Sequence, residues 1–346
     1  MARPTIRTIC AETGLSTATV SKALRQSPQV RPETRKRVEE VARRLGYSAN
    51  LDGVRLRTGK TFQIAAVMAA PEPGSDEWEG VEYAPILSGI SRAVEGTGYR
   101  VAIHAVRDFA ESVDAVQRIV RERLADGVIL SQTRVTDERV AILQEAGMPF
   151  VTYGTTGAHP AHPFVDADNA GVVRQTVLRL AAAGHRRIAL INPPHEQSYA
   201  RTRSESYRRA LSDVGLSHDP ALEVAGRLTP EAGRAAVMRL AARPEPPTAY
   251  VCANEAVALG ALSGFAAAGL VHGRDAIINA TDDLNISAYL NPPISTYFLP
   301  IHTPAAWLGD HILRAMAGEP PEDLQTLLMP AFIARSDDRL QPGGER

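Results

Sequence analysis

The chain has 346 residues, which is too long for one ordinary domain and predicts two or three globular units. Its net charge of −1 hides an asymmetry, because residues 1–60 hold 13 Lys and Arg against 5 Asp and Glu, whereas residues 61–346 hold 25 against 34. A basic head on an acidic body indicates that the head binds a polyanion. Its two cysteines, Cys10 and Cys252, exclude a disulfide framework and a CxxC metal or redox site.

Three short helices are predicted in the first fifty residues. Thr5 caps the first helix, Gly14 ends it and Ser16 caps the second. The connection ETGLS is short and contains glycine, as in a helix-turn-helix, whose two helices cross steeply. A third helix is predicted in RPETRKRVEEVARRLGY, where Pro32 suits the first turn and Gly46 ends the apolar stripe.

The polar face of the second helix is slender. The short side chains of Thr17, Ala18 and Ser21 allow the helix to enter a major groove about 12 Å wide, where Lys22 can donate to a guanine edge. The nearby basic residues suit phosphates, which position a protein on DNA without reading its sequence; they are Arg25, Arg31, Arg35 and Lys36. The alternative is a helical cap on an enzyme, which the basic excess disfavours.

The segment TIRTICAETGLSTATVSKALRQSPQVRPETRKRVEEVARRLGY resembles the DNA-binding head of the LacI/GalR family of bacterial transcription regulators. The resemblance rests on the TVSKAL recognition helix and on the V-R-P-E-T-R-K-R-V…A-x-x-L-G-Y spacing, and it continues to the C-terminus. It implies that residues of the head and of the following linker bind DNA, namely Thr5, Ser16, Thr17, Ala18, Thr19, Ser21, Lys22, Arg25, Arg31, Arg35, Asn50, Arg55 and Leu56.

The linker SANLDGVRLRTGKT matches the hinge of that family, which becomes helical on DNA and wedges a leucine into the minor groove. By position this leucine is Leu56, and an apolar wedge between base steps kinks DNA. The chain departs from the family pattern, because Ala49 replaces the usual proline and Gly53 the usual alanine. Glycine weakens a helix by about 1 kcal/mol relative to alanine. A flexible basic linker is therefore the alternative, and helix formation at the hinge stays open.

Beyond Thr61, short apolar runs alternate with helical stretches. The runs FQIAAVM, YRVAIHAV, DGVILSQ, PFVTYG, RRIALIN, TAYVCAN and DAIINAT are typical of buried parallel strands, and APILSGISRAVEGTG, AVQRIVRERL and NAGVVRQTVLRLAAAG of helices. Repeating strand-helix units predict two doubly wound α/β lobes. No GxGxxG follows a strand and no GxxxxGK[ST] occurs, so no nucleotide cradle is predicted, and neither a cofactor nor a metal is expected.

The resemblance implies a periplasmic-binding-protein-like core in which each lobe is completed by a late crossover. We expect a helix-turn-helix domain at 1–49, a hinge linker at 50–60 and a core for effector binding and dimerisation at 61–340. Within the core, the first lobe is expected at about 61–164 and 297–325, and the second at about 165–296 and 326–340.

Three residues match the effector-contacting arginine, asparagine and aspartate of that family, namely Arg203, Asn254 and Asp282. Together they offer the donors and acceptors that the vicinal hydroxyls of a sugar or polyol require, in a crevice at the carboxyl ends of parallel strands. Three alternatives stay open: Arg203 as an exposed arginine, Asn254 as a helix cap, and the neighbouring Asp283 in place of Asp282.

Other effector contacts have weaker support. Tyr83 stands where the family often has an aromatic residue against the sugar, although an aromatic at a helix start is as often core. Thr155 follows a predicted strand and is a further candidate. The spacing leaves open which of Leu299 and His302 faces the cleft, and His185 is interpreted as packing between a helix and a strand.

Together these features predict a homodimeric, ligand-responsive repressor that binds palindromic operator DNA, controls a carbohydrate or polyol utilisation operon and is released by its effector. The absence of a signal-peptide pattern and of an apolar stretch of about 18 residues favours the bacterial cytoplasm, with no membrane partner. The alternative is a sugar-active enzyme or sugar-binding protein on the same core, but no His/Asp/Ser constellation shows nucleophile-base spacing. The sequence does not indicate the effector or the sign of its coupling to DNA binding.

Overall fold

A computed structural model describes residues 4–24, 26–47, 58–69, 83–157, 161–336 and 339–340. The chain separates into two compact units, Met1–Lys60 and Thr61–Arg346. The predicted DNA contacts Arg25, Asn50, Arg55 and Leu56 lie outside the described residues and stay predictions, as does the conformation of the hinge around Gly53. Within the described ranges, no helix is long and apolar enough to cross a lipid bilayer.

The first unit contains three helices, α1 (Ile6–Thr13), α2 (Thr17–Leu24) and α3 (Pro32–Arg44). Gly14 ends α1 with a φ of +68°, a left-handed conformation that glycine adopts without steric cost. The Ser16 hydroxyl begins α2 by accepting a hydrogen bond from the nitrogen of Thr19 at 3.2 Å. The helices enclose one small apolar core formed by Ile9, Val20, Ala23, Val30, Val38 and Ala42.

Strands alternate with helices in the second unit. Its helices are α4 (Tyr83–Ala93), α5 (Phe109–Glu122), α6 (Glu138–Glu145), α7 (Asn169–Ala182), α8 (Ser198–Asp213), α9 (Pro230–Ala241), α10 (Glu255–Ala268) and α11 (His302–Met316). Its strands are β1 (Gln63–Ala69), β2 (Arg100–Val106), β3 (Gly127–Leu130), β4 (Phe150–Tyr153), β5 (Phe164–Ala167), β6 (Ile188–Asn192), β7 (Glu223–Ala225), β8 (Ala249–Cys252), β9 (Ile277–Asp282), β10 (Ser295–Phe298), β11 (Gln325–Leu328) and β12 (Ala331–Ile333).

The strands form two sheets, and each sheet is the centre of one lobe. The order is β11-β5-β4-β3-β1-β2 in the first sheet and β12-β10-β9-β8-β6-β7 in the second. The described pairings are parallel except that of β10 with β12. The chain crosses to the second sheet after β5, returns after β10 and crosses again after β11. The predicted α/β core of two doubly wound lobes is therefore confirmed.

The predicted lobe limits were displaced by a few residues. The divisions at 164/165, 296/297 and 325/326 cut β5, β10 and β11, whereas the structure places each of these strands whole in one sheet. The reason is that hydrogen bonds to distant partners assign a strand to its sheet: Phe164 of β5 lies opposite both Thr152 of β4 and Gln325 of β11. Such pairings leave no local mark in the sequence.

Close packing between two helices holds α11, which follows β10, against the first lobe. Gly309 of α11 faces Ala93 of α4, and Gly89 of α4 faces Ala305 of α11, so that a Cβ atom at either glycine would collide with the opposing methyl group. Because both helices present glycine or alanine at these points, α11 packs against α4 beside the first sheet. The late crossover therefore completes the lobe in which the chain began.

Candidate functional site

The outer face of α2 carries the side chains that the sequence assigned to DNA reading. Thr17, Ala18 and Lys22 are exposed, whereas Thr19 and Ser21 are half-buried. The Lys22 ammonium donates to the Gln29 side-chain oxygen at 2.9 Å. This contact joins the lysine to the loop between α2 and α3.

The remaining described candidates of the head surround this helix. Thr5 and Ser16 are exposed at the starts of α1 and α2, and Arg31 is exposed just before α3. Arg35 is half-buried and donates to the Gln26 carbonyl oxygen at 3.2 Å, so this arginine also braces the loop after α2. A cationic surface with short polar side chains on one helix suits contact with a nucleic acid backbone and base edges.

A cavity of about 320 Å³ lies in the second unit, between residues of its two lobes. Its wall is made of segments that follow strands: Gln132 and Thr133 after β3, Gly154 after β4, Pro193 and Pro194 after β6, Arg227 after β7, Asn254 and Glu255 after β8, and Leu299 after β10. Asp166 lies near the end of β5, and Asp282 ends β9. The cavity therefore occupies the carboxyl ends of the strands of both sheets, where open α/β sheets bind ligands.

Arg203 lies behind the cavity wall rather than on the protein surface. Its guanidinium donates to the Asn169 side-chain oxygen at 3.4 Å, to the Thr281 hydroxyl at 3.2 Å and to the Cys252 carbonyl oxygen at 3.5 Å. Burial lowers the pKa of Arg203 to about 10. Its Nε has no hydrogen-bond partner among the described residues. Asn169 and Thr281 line the cavity, so the arginine supports two polar groups of its wall.

Asn254 and Asp282 both line the cavity and also hold backbone groups. The Asn254 oxygen accepts from the nitrogen of Val257 at 2.9 Å and caps α10, so the alternative role as a cap is present alongside the cavity position. The buried Asp282 carboxylate accepts from the nitrogens of Leu284 at 3.2 Å and Ser287 at 3.1 Å. Asp282 therefore stabilises the turn that follows β9, and its neighbour Asp283 also lines the cavity.

Thr155 supports the cavity through Asp166. Its nitrogen and its hydroxyl donate to the Asp166 carboxylate at 2.9 and 3.2 Å, and the Asn169 amide donates to the same carboxylate at 3.2 Å. Burial nevertheless raises the pKa of Asp166 to about 6. Thr155 is not among the described residues that line the cavity, whereas Asp166 is. Thr155 therefore positions the carboxylate of Asp166 and does not form the wall itself.

The structure answers the question that the spacing left open and shows the surroundings of His185. Leu299 lines the cavity, whereas His302 begins α11 and is exposed. His185 is buried and pairs with the Thr248 hydroxyl at 2.8 Å, as its interpretation as packing requires. Tyr83 begins α4, but its side chain lies outside the description, so its predicted effector contact stays a prediction.

Sequence reasoning missed several polar residues of the cavity, namely Gln132, Asp166, Asn169, Tyr199, Arg227 and Glu255. Applying the strand-end rule to each predicted strand points to Gln132, the last residue of the run DGVILSQ, and to Glu255, which directly follows the run TAYVCAN. It does not find Asp166 or Arg227, because β5 and β7 are too short for a clear apolar run. In the described part of the chain, no group of three or more His, Cys, Asp or Glu side chains is placed to hold a metal ion.

Both units match models of known protein families. Residues 5–50 match bacterial regulatory proteins of the lacI family, and residues 62–290 match periplasmic binding proteins and the sugar binding domain of the LacI family. The first match covers the helices of the head. The second covers most of the unit that contains the cavity.

Individual relatives extend these matches along most of the chain. The chain is 36% identical over 273 residues to the HTH-type transcriptional regulator AglR of Rhizobium meliloti, covering 78% of this chain and 75% of that protein. It is 31% identical over 333 residues to the regulator RafR of Escherichia coli, covering 96% and 97%. A solved complex of the transcriptional regulator CelR with cellobiose shares 28% identity at a TM-score of 0.71, covering 96% and 99%. These relatives are named as transcriptional regulators and not as enzymes.

Proposed function

The chain belongs to the LacI family of bacterial regulatory proteins, and from that premise we propose that it is a repressor of a carbohydrate or polyol utilisation operon that a small-molecule effector releases from DNA. The protein is a DNA-binding transcriptional regulator. We also propose that it acts in the bacterial cytoplasm.

One observation carries the proposal: a single chain combines a basic helical head with a separate unit that holds, between its two lobes, a cavity with polar side chains at several points of its wall. The head supplies cationic groups for DNA, and the cavity supplies donors and acceptors for hydroxyl groups. For the effector we propose contacts with Asn254 and Asp282 on the wall, support from Arg203 and Thr155 behind it, and contact with Tyr83.

The active form is proposed to be a homodimer on a palindromic operator. Two-fold symmetry of the protein matches two-fold symmetry of the DNA, so each half-site receives one head. The partly exposed apolar side chains of Met238 on α9 and Leu259 on α10 support a subunit contact on the second lobe. The effector changes repression only if its affinity differs between the DNA-bound and released states.

A mobility-shift assay on the DNA upstream of the chain's own gene, with a panel of sugars and polyols, tests this function. We expect a specific complex that at least one member of the panel dissociates. A chain that binds neither this DNA nor heparin at low salt would contradict the proposed role. Binding that survives deletion of residues 1–60 would place the DNA site outside the head.

Replacing Lys22 by alanine should relax the sequence preference of the head. We expect a loss of roughly 1–3 kcal/mol at one base pair of each half-site, because a lysine that donates to a base edge discriminates between bases. Arg35→Ala is the matched control, since the loss of a phosphate contact weakens binding to all sequences about equally. Titrations on operator variants and on random DNA measure both effects. Equal losses on all sequences for Lys22→Ala would remove it as a base reader.

A backbone hydrogen bond joins the two lobes beside the cavity and predicts a kinetic effect. The nitrogen of Ser198, the first residue of α8, donates to the Thr133 carbonyl oxygen at 2.9 Å. Proline is tolerated at the first position of a helix, and Gln197 already has the extended conformation that precedes proline, with φ −78° and ψ 132°. Ser198→Pro should remove this donor and also place the ring Cδ against the Thr133 carbonyl oxygen, so the two lobes must part at this point. Effector dissociation should therefore speed up at least about fivefold, the factor that corresponds to a loss of about 1 kcal/mol.

Stopped-flow measurement of effector release tests this effect. Ser198→Ala is the control, because it shortens the side chain and keeps the N–H group. If the proline variant releases the effector at the wild-type rate while the alanine variant does the same, the bond between the lobes does not limit exit from the cavity.

A further inference from the structure

Acidic side chains dominate the charged part of the cavity wall. Four acidic residues line the cavity, namely Asp166, Glu255, Asp282 and Asp283. Among the described residues, the basic side chain in the wall is that of Arg227. Two of these acids have defined internal roles, because Asp166 accepts from Thr155 and Asn169 and Asp282 accepts from two backbone nitrogens. The other two acids, Glu255 and Asp283, belong to the segments that follow β8 and β9.

Glu255 is the exceptional member of this group. It is the first residue of α10 and is only 2% exposed, yet its Oε1 atom has no hydrogen-bond partner among the described residues. Burial raises the pKa of Glu255 far above its ordinary value, and the charge of Asp283 and a hydrogen bond with it raise the pKa further. A buried carboxyl group without its full set of partners costs free energy unless a ligand supplies a donor.

A cationic donor complements the buried carboxyl groups of Glu255 and Asp283 better than a neutral hydroxyl does. A hydroxyl supplies the missing hydrogen bond but leaves Glu255 protonated, because it does nothing to stabilise a second negative charge beside Asp283. An ammonium group donates the same bond and also offsets the negative charge, and the attraction is strong because the site is shielded from water. Tyr153 and Tyr199 also line the cavity, and aromatic faces attract cations.

We propose that the effector is a polyhydroxylated molecule with a basic nitrogen, an amino sugar or an amino polyol, and that Glu255 together with Asp283 binds its protonated amine. This inference rests on the proposed function, since it takes the cavity as the effector site. The hydroxyl groups of such a ligand then face the remaining polar wall, including Asn254 and Asn169. Glu255 is thereby the residue that selects an amine over the corresponding neutral sugar.

Two matched series of ligands test the preference with the full-length protein. The first is glucosamine, N-acetylglucosamine and glucose, and the second is the chitosan dimer, diacetylchitobiose and cellobiose. Within each series only the substituent at C2 of each sugar ring changes, from an ammonium to a neutral acetamide or a hydroxyl. We expect at least one amine to bind about tenfold or more tightly than both of its neutral counterparts in calorimetry, because a charge-assisted bond replaces a neutral one.

Proton release gives a second readout of the same contact. An ammonium beside Glu255 favours its ionised form, so amine binding at about pH 7 should release protons, whereas binding of a neutral sugar should release none. Calorimetry in buffers of different ionisation enthalpy measures the number of protons released on binding. The acids and phenols that interact with Glu255 are Asp282, Asp283 and Tyr153. Repeating the measurement with Asp283→Asn isolates the contribution of Asp283, the acid that is hydrogen-bonded to Glu255.

Glu255→Gln should abolish both the amine preference and the proton release, so that the variant binds each amine no more tightly than its neutral counterparts. Glu205→Gln, an exposed substitution on α8, is the control and should keep both. Folding of the variant is checked by its melting temperature. The pKa of Glu255 is raised in the folded state, so above the ordinary glutamate range the residue ionises in the unfolded chain but keeps its proton in the folded one. The free energy of unfolding of the wild-type protein should therefore fall as pH rises through this range. Glu255→Gln lacks this effect and should become more stable relative to wild type as pH rises.

The inference is wrong if no amine of either series binds the wild-type protein more tightly than its neutral counterparts, or if Glu255→Gln retains the preference. Either result leaves the proposed function intact when a neutral sugar still dissociates the operator complex. The proposed function itself fails when the protein forms no operator complex, which the shift assay detects without any ligand.

Discussion

The affinity of this protein for its operator should fall on the order of 10³-fold or more when the salt concentration rises from about 50 to 200 mM. The excess of basic residues is confined to residues 1–60, with 13 Lys and Arg against 5 Asp and Glu, whereas the rest of the chain is acidic and repels phosphate. A dimer that neutralises six or more phosphates releases a corresponding number of condensed cations. Fluorescence anisotropy across a salt series measures the slope.

Two controls identify the source of this slope. A chain that begins at Thr61 keeps the second compact unit and should lose nearly all affinity for DNA. Substitution of Arg31, an exposed residue before α3, by alanine should reduce the slope by about one unit for each phosphate contact that is lost. A complex whose affinity does not change with salt would show that apolar or base contacts dominate, contrary to the assignment of the head.

Replacing Arg203 by methionine should weaken effector binding roughly tenfold to hundredfold. The guanidinium supports Asn169 and Thr281 on the cavity wall, and hydrogen bonds to a charged group contribute about 1.5–3 kcal/mol. Operator binding without effector should persist, because the head is a separate compact unit. The variant would then repress without responding to its signal.

Arg201 supplies a matched control on the same helix, α8. Its side chain is 58% exposed and pairs with Glu205 at the surface, so Arg201→Met should leave effector affinity unchanged. Urea unfolding separates a lost contact from a lost fold: because burial lowers the pKa of Arg203, replacing it with an apolar side chain should not reduce the free energy of unfolding greatly. If Arg203→Met binds the effector with wild-type affinity, the cavity is not the effector site.

The head and most of the central strands could be predicted from local patterns of residues. Thr5, Gly14 and Ser16 begin or end helices through contacts within a few residues, and the predicted helices occur where these signals stand. The seven apolar runs interpreted as strands are β1, β2, β3, β4, β6, β8 and β9. Such elements are legible because hydrophobic periodicity and helix capping are local properties of the chain.

The tertiary structure alone decided how these elements combine into a site. β11 belongs to the first sheet because Gln325 lies opposite Phe164, a pairing between segments far apart in the chain. The same long-range packing turns Thr155 toward Asp166 and places Arg203 behind the cavity wall. It also buries Glu255 beside Asp283, although in the sequence Glu255 is only an acidic residue after a helix cap. The environment that gives a polar side chain its chemistry is made by neighbours from other segments, so it exists only once the lobes have formed.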